Sequence, residues 1–269
     1  MEIFQDKIVI VTGAASGIGR AVCEQMAEKG AKLVMADINE SLLKEAAASI
    51  NKGGHYAKPV VLDVRDFNAF KKMADDTIAE HGRLDYIFNN AGVGVMGEAR
   101  FFEYDDWKKV IDINLYGVVN GVAAAYPLMV KQGFGHIVNT SSLAGIVPTP
   151  VEVSYVASKY AVVGLSNALR IEGEALGVKV SVVCPGLIDT PIQDAIKLIK
   201  VDKEQLKTVA PKFMPVKDCA REILAGVEKN KAIILITGLT KISWVLQRLS
   251  PGLIRWIWKN NLKKFRELY

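Results

Sequence analysis

Tyr155 stands four residues before Lys159 in the stretch SYVASKYAVVG, residues 154 to 164. On a helix, residues four apart lie on one face, so the phenol and the ammonium can point into one cleft. A free tyrosine ionises near ~10 and is a poor base at neutral pH, while a neighbouring ammonium favours the phenolate. Lowering the phenol's pKa by roughly three, to neutrality, takes about 4 kcal/mol of differential stabilisation. One cation in a partly dry cleft, helped by a second positive charge, could supply that. The same spacing also arises by chance, so the pair reads as an acid–base couple or as two unrelated helix residues until other features decide.

A second candidate lies near the N-terminus. TGAASGIG, residues 12 to 19, sets Gly13, Ser16, Gly17, Ile18 and Gly19 between an apolar run and a helical pattern. Glycines there let the backbone turn tightly and approach a pyrophosphate. The helix that opens near Gly17 would aim its free N–H groups and positive dipole end at the phosphates. The alternative is a tight strand-to-helix corner with no ligand. Asp37 ends the next apolar run, about 20 residues on, where a carboxylate accepts from ribose hydroxyls and repels a 2′-phosphate. Ile38 and Asn39 follow, with no basic residue alongside, so the pattern favours NAD over NADP. The alternative for Asp37 is a cap on the following helix.

The elements that must position these residues alternate along the chain. Strands are predicted at 7–13, 31–37, 58–64, 84–92, 135–142, 178–186 and 231–238, and helices at 17–29, 40–50, 67–81, 103–131 and 154–176, the fourth bent before Pro127. Apolar runs alternating with amphipathic helices indicate a parallel sheet covered on both faces. The expected fold class is α/β: a Rossmann-type, doubly wound, seven-stranded parallel sheet with helices on both faces, plus a C-terminal amphipathic helical extension. Residues 187–215 are the least regular and suit a lid over a cleft at the carboxyl edge of the sheet. The 269 residues, half of them hydrophobic, can fill one large domain. The three cysteines are scattered, the three histidines form no ligand-spaced cluster, and no signal-peptide pattern or long uncharged apolar run occurs. A reduced, cytoplasmic setting and no metal site are expected.

With these residues in hand, the sequence resembles the classical short-chain dehydrogenases/reductases from about residue 6 to 238. TGAASGIG matches that family's cofactor turn, NNAG (Asn89 to Gly92) its fourth-strand signature, YVASK its active-site motif and PGLIDT (Pro185 to Thr190) its segment after the sixth strand. Ser142 stands thirteen residues before Tyr155, the family spacing, and Asn114 in DINLYG matches the catalytic asparagine. The resemblance implies a catalytic set of Asn114, Ser142, Tyr155 and Lys159. It implies a cofactor set of Gly13, Ser16, Gly17, Ile18, Gly19, Asp37, Asp63, Val64, Asn90, Ala91, Gly92, Tyr155, Lys159, Pro185, Gly186, Ile188 and Thr190. Asp63 and Val64 would hold the adenine, and Thr190 the nicotinamide carboxamide or the phosphates. Tyr155 would exchange the proton of an alcohol or ketone, Ser142 steady the substrate oxygen, Lys159 grip the nicotinamide ribose, and Asn114 hold a relay water. The implied function is an NAD(H)-dependent alcohol/ketone oxidoreductase. A dinucleotide-binding sensor or scaffold, or an epimerase or dehydratase on the same fold, stays open. Family habit also implies a homodimer or homotetramer through the helices at 103–131 and 154–176.

The division expected is a catalytic domain, 1–239, and an extension, 240–269. From Lys241 onward seven basic residues stand against Glu267 alone, which leaves the body nearly neutral and gives a nucleic-acid role little electrostatic support. In the extension Ile254, Ile257, Trp258, Leu262 and Phe265 form one helical stripe, with Arg255, Lys259, Lys263 and Arg266 on another face. Trp244, Trp256 and Trp258 all lie there. Such a helix suits the surface of a membrane. It equally suits packing on the body or on a partner subunit. A peripheral membrane position would favour a lipophilic substrate, such as a steroid, retinoid or long-chain acyl derivative. The expected cleft walls agree: Val93, Val95, Met96, Leu143, Ile146, Val147, Leu187 and Ile188 are apolar.

Overall fold

The computed structural model of the protein describes residues 3–200 and 213–266. The main strands are β1 (Ile8–Thr12), β2 (Lys32–Asp37), β3 (Tyr56–Val61), β4 (Tyr86–Asn89), β5 (Gly135–Thr140), β6 (Val178–Cys184) and β7 (Ile233–Leu235). The helices are α1 (Gly17–Glu28), α2 (Glu40–Lys52), α3 (Phe67–His81), α4 (Tyr104–Ile111), α5 (Gly117–Gln132), α6 (Val153–Glu174), α7 (Val216–Glu228), α8 (Gly238–Leu249) and α9 (Pro251–Arg266). The strands form one sheet in the order β7-β6-β5-β4-β1-β2-β3, each neighbouring pair parallel. The direction of winding reverses between β1 and β4, which opens a crevice at their carboxyl ends.

Side chains alternate across the sheet as the pleat demands. Val9 and Val11 of β1 pack with Met26, Leu43 and Ile223, from α1, α2 and α7, on one face. Ile10 points the other way and meets Phe70, Ala125 and Met129, from α3 and α5. The helix α7 was not among the expected elements, yet its buried stripe of Cys219, Ala220, Ile223, Leu224 and Val227 completes the first of these layers. Both faces of the sheet are therefore dry, and polar ligands are left its carboxyl edge.

Three local differences from expectation matter for the site. The helix expected at 103–131 is interrupted by a π-turn at Asp112–Tyr116, not at Pro127, which sits inside α5. The widened turn carries Asn114, fully buried, toward the loop after β4. The strand expected at 58–64 runs instead over Tyr56–Val61 at the sheet's edge, where Pro59 is tolerated. Asp63 and Val64 therefore stand in the loop beyond it. The segment expected as a lid at 187–215 is stitched to its surroundings where it is described. Ile188–Asp189 pairs with Met214–Pro215, and Lys197–Leu198 pairs with Val95–Met96. Residues 201–212 of that expectation lie outside the described residues.

Among the described residues one helical stretch, Tyr104–Gln132, is long and apolar enough to cross a bilayer. It is also the stretch that packs Val118, Ala124, Ala125 and Met129 into the core.

Candidate active site

A cleft of about 1600 Å³ runs along the carboxyl edge of the sheet, from Asp37 and Asp63 at one end to Tyr155 and then the C-terminal helices at the other. That exceeds the roughly 300–1,000 Å³ of an ordinary ligand pocket. It leaves space for a dinucleotide and a second molecule beside it.

The dinucleotide end is built on close backbone approach. Gly13 has φ +65, and a Cβ there would stand 2.9 Å from the Ala91 Cα. A Cβ on Gly19 would stand 2.1 Å from the Gly13 carbonyl oxygen. Gly19 does not line the cleft; it lets α1 abut the turn, while Gly13, Ser16, Gly17 and Ile18 form the wall. Ser16 is extended just before α1, and its side chain caps none of the helix N–H groups, which leaves them to an anion. Asp37 is held from both sides: its Oδ2 accepts from the Ala15 N–H at 3.0 Å and its Oδ1 from the Asn39 N–H at 2.9 Å. Asn39, not Asp37, caps α2.

Thr12 ties this turn to the next. Its Oγ1 accepts from the backbone N–H groups of Asn90 at 3.0 Å and Ala91 at 3.2 Å, and the Asn90 amide donates to the Thr12 carbonyl at 3.1 Å. Asn90, Ala91 and Gly92 are thereby fixed along the floor of the cleft. Asp63 and Val64 line the adenine-side end, with Arg65 folded onto the Asp63 carboxylate. Those Arg65 hydrogen bonds hold the Asp63 carboxyl below its ordinary range. Pro185, Gly186, Ile188 and Thr190 form the opposite wall. Among the described residues no group of three or more His, Cys, Asp or Glu is placed to hold a metal ion.

At the reacting end α6 brings Tyr155 and Lys159 to the same wall, as their spacing predicts. The Lys159 Nζ lies 5.4 Å from the centre of the Tyr155 ring and donates to the Thr140 carbonyl at 2.9 Å. Ser142 follows β5 and lines the cleft together with Tyr155. Its Oγ accepts from the Ala144 N–H at 3.2 Å, which fixes its rotamer. Asn114 does not reach the cleft wall. Its Oδ1 accepts from the Val93 N–H at 2.8 Å and its Nδ2 donates to the Val93 carbonyl at 2.9 Å, with a longer contact to the Ser158 hydroxyl. The side chain pins the strand of backbone beneath the reacting end.

The electrostatics differ from expectation. Burial pushes the Tyr155 phenol up to about 12; the Ser142 hydroxyl pulls it down, and Glu152 adds to the rise. Burial also lowers Lys159 to about 8. Desolvation is the largest cause of both shifts, so burial favours the neutral phenol and the neutral amine.

The substrate end is apolar, and part of it comes from the extension. Val93, Val95, Met96, Leu143, Leu187 and Ile188 line the cleft as expected. Ile146 and Val147 do not: they turn into the core against Val118, Val162 and Val182. The stripe Ile254, Ile257, Trp258 and Phe265 of α9 faces the cleft, while Arg255, Lys259 and Lys263 face outward. Several site residues were not among those expected: Thr12, Thr140, Arg65, Glu152 and this α9 wall. Of these only the α9 stripe left a periodic signal in the sequence.

A Rossmann-type sheet with a glycine cradle at its switch point and serine, tyrosine and lysine side chains beyond it has the architecture of the dinucleotide-binding folds. Residues 7–199 match the profile of the short chain dehydrogenases, and the chain belongs to that family. It is 35% identical over 257 residues to a Mycobacterium tuberculosis protein named as the oxidoreductase SadH, covering 93% of this chain and 92% of that one. It is 43% identical over 190 residues to one named as the oxidoreductase EphD, also of M. tuberculosis, covering 70% of this chain. The chain spans about a third of EphD's length, 32%. A short chain dehydrogenase/reductase from Burkholderia phymatum, solved in complex with NAD, superposes with a TM-score of 0.85 at 30% identity, covering 93% of this chain and 95% of that one. The cradle here fits such a group: Gly13, Gly17 and Gly92 line the cleft where side chains would narrow it.

Proposed function

We propose that the chain is an NAD(H)-dependent oxidoreductase that interconverts a lipophilic secondary alcohol and its ketone, of steroid, retinoid or long-chain acyl type. The observation that carries this reading is the meeting of Ser142, Tyr155 and Lys159 with a cleft end walled by Ile254, Ile257, Trp258 and Phe265. The nicotinamide supplies the hydride chemistry when bound, and its oxidised ring brings a positive charge to the same end of the cleft. Tyr155 takes the hydroxyl proton in oxidation and returns it in reduction. Ser142, its rotamer held by Ala144, donates to the substrate oxygen as charge develops there. Lys159 holds the ribose side and supplies a positive charge beneath the phenol. The Asn114 amide is engaged with Val93, so a relay water at this residue would rest on its backbone carbonyl.

NAD is favoured over NADP because Asp37 is locked with its carboxylate at the ribose end, and Arg65, a basic side chain that lines the same cleft, is folded onto Asp63. The division into a catalytic domain, 1–239, and an extension, 240–269, is functional and not a separation in space, since the extension supplies one cleft wall. The part of it left for a membrane surface is the elbow between α8 and α9, where Leu249 (80% exposed), Leu253 and Trp256 (61% exposed) stand beside Arg248, Arg255 and Lys259. Exposed Tyr104, Tyr116, Tyr160 and Ile171 on α4, α6 and the π-turn suit contact between copies of the chain.

The test is a screen of hydrophobic secondary alcohols with NAD, read at the absorbance of the reduced dinucleotide. Stoichiometric reduction supports the reading. Product formation without net reduction would indicate epimerisation or dehydration, and dinucleotide binding without turnover a sensor or scaffold.

A further inference from the structure

Val151 has φ +64, a left-handed backbone position in which a β-branched residue is strained. The neighbouring loop holds it there: the Gly97 N–H donates to the Val151 carbonyl at 2.8 Å. The turn delivers Glu152 to the residue just before α6, a position from which side chains commonly cap the free N–H groups of a helix. Glu152 caps none of them. Its carboxyl reaches the Thr149 hydroxyl at 3.4 Å and lines the cleft together with Thr149, Ser142 and Tyr155. It makes no ion pair among the described residues. A carboxyl is thus held by strained backbone, one helical turn before the reactive phenol, in a cleft whose substrate end is mostly apolar.

We propose that Glu152, with Thr149, forms a second polar subsite that binds a hydroxyl one or two carbons from the reacting carbon of the substrate, so that the preferred substrate is a lipophilic diol or hydroxy ketone. The inference rests on the reading of this cleft as an alcohol/ketone site. A hydroxyl both donates and accepts, so it satisfies a carboxyl in either protonation state. Both states are populated near neutrality, because burial pushes the Glu152 carboxyl up to about 7. A substrate ammonium would share this end with the Lys159 ammonium four residues beyond Tyr155, and a substrate carboxylate would meet Glu152 itself. A mono-alcohol leaves the carboxyl with the long Thr149 contact alone, an under-satisfied polar group that discriminates against that substrate.

The test compares kcat/KM for a long-chain secondary mono-alcohol with that for its matched 1,2- and 1,3-diols, using the full-length chain, Glu152→Gln and Glu152→Leu. The ratio is internal to each preparation, so partial misfolding of a variant cancels. The unsubstituted chain should prefer a diol by about tenfold or more. Glu152→Gln, whose amide still donates and accepts, should keep most of that preference, and Glu152→Leu should bring the ratio to about one. The same ratio in the unsubstituted chain and Glu152→Leu, or a preference of the unsubstituted chain for the mono-alcohol, overturns the subsite while leaving the oxidoreductase reading intact. Faster turnover of the matched amino alcohol than of either diol also overturns it, in favour of ion pairing. No reduction of the dinucleotide with any of these alcohols overturns both readings together.

Discussion

The guanidinium of Arg266 clasps the carboxylate of Glu98, 168 residues earlier in the chain, with Nη2 donating to Oε2 at 2.7 Å and Nε to Oε1 at 3.1 Å. Glu98 is only 9% exposed and also receives Arg100 at 3.2 Å. The Arg266 hydrogen bonds, first among these, hold its carboxyl below the usual carboxylate range. Glu98 lies just after the Val95–Met96 strand that walls the cleft, so the pair fastens the end of α9 across the substrate side. The paired N–H···O geometry fixes direction as well as distance. The apolar stripe of the same helix faces the cleft.

Arg266→Ala should loosen that wall. The expected outcome is a rise of several-fold in KM for long apolar substrates with a smaller change for short ones. Stability should fall by under about 1 kcal/mol, because the pair is half open to solvent on the arginine side and Arg100 still serves Glu98. Steady-state kinetics over a chain-length series reads it. A uniform change at all chain lengths would show that α9 does not shape the substrate end.

Tyr155→Phe keeps the ring packed near Lys159 and removes the oxygen to which the proposed proton transfer is assigned. Turnover should drop by about 10²–10⁴-fold, while dinucleotide affinity, followed by fluorescence of the reduced form, changes little. Near-normal turnover in this variant would refute the assignment.

Asp37→Ala removes the carboxylate that the Ala15 and Asn39 N–H groups hold at the ribose end. The ratio of kcat/KM for NAD to that for NADP should fall by at least about tenfold, since the 2′-phosphate loses its electrostatic opponent and the ribose hydroxyls lose an acceptor. An unaltered ratio would place cofactor choice elsewhere.

Glu152 also predicts a pH dependence of stability. Burial raises its carboxyl from an ordinary 4.5 to about 7, so between those values the folded chain binds more protons than the unfolded one and stability falls as pH rises. Its contribution is intact below about 4.5 and lost once pH passes about 7. Glu152→Gln removes the titration. The variant should therefore exceed the unsubstituted chain by under about 1 kcal/mol at pH 5, widening to at most about 3 kcal/mol at pH 7.5. Lys159, lowered by burial to about 8, works in the opposite direction above that pH, and His136, lowered by burial to about 3, works in the opposite direction up to about 6.5; both are common to the two chains, so the difference between the chains isolates Glu152. Urea denaturation across the range checks it, and parallel curves for the two chains would contradict it. A side chain that weakens the fold at neutral pH is what a binding role, rather than a packing role, would retain.

The fold was legible because its signals are local. The alternation of apolar runs with helical stripes, closed by Gly82 after α3 and capped by Asn39 before α2, depends on neighbours a few residues apart. The register of β3 was less legible: an edge strand carrying Pro59 has a weak pattern, and its placement follows from pairing with β2. The interruption in the α4–α5 stretch was misplaced because proline is a visible breaker. The π-turn is instead accompanied by contacts of Asn114 with Val93 and Ser158, which no spacing rule announces.

The sequence by itself determined which side chains could do chemistry and at which strand ends they would appear, because the glycine turn, Asp37, Ser142 and the Tyr155–Lys159 pair sit where strand and helix periods fix them. Only the tertiary structure decided what surrounds them. The strained turn at Val151 sends Glu152 into the cleft, burial raises the phenol's proton affinity, and the apolar stripe of α9 closes on the protein's own cleft wall. Each of these outcomes depends on desolvation or on a contact between residues far apart in the chain, and neither is encoded in the spacing of neighbours.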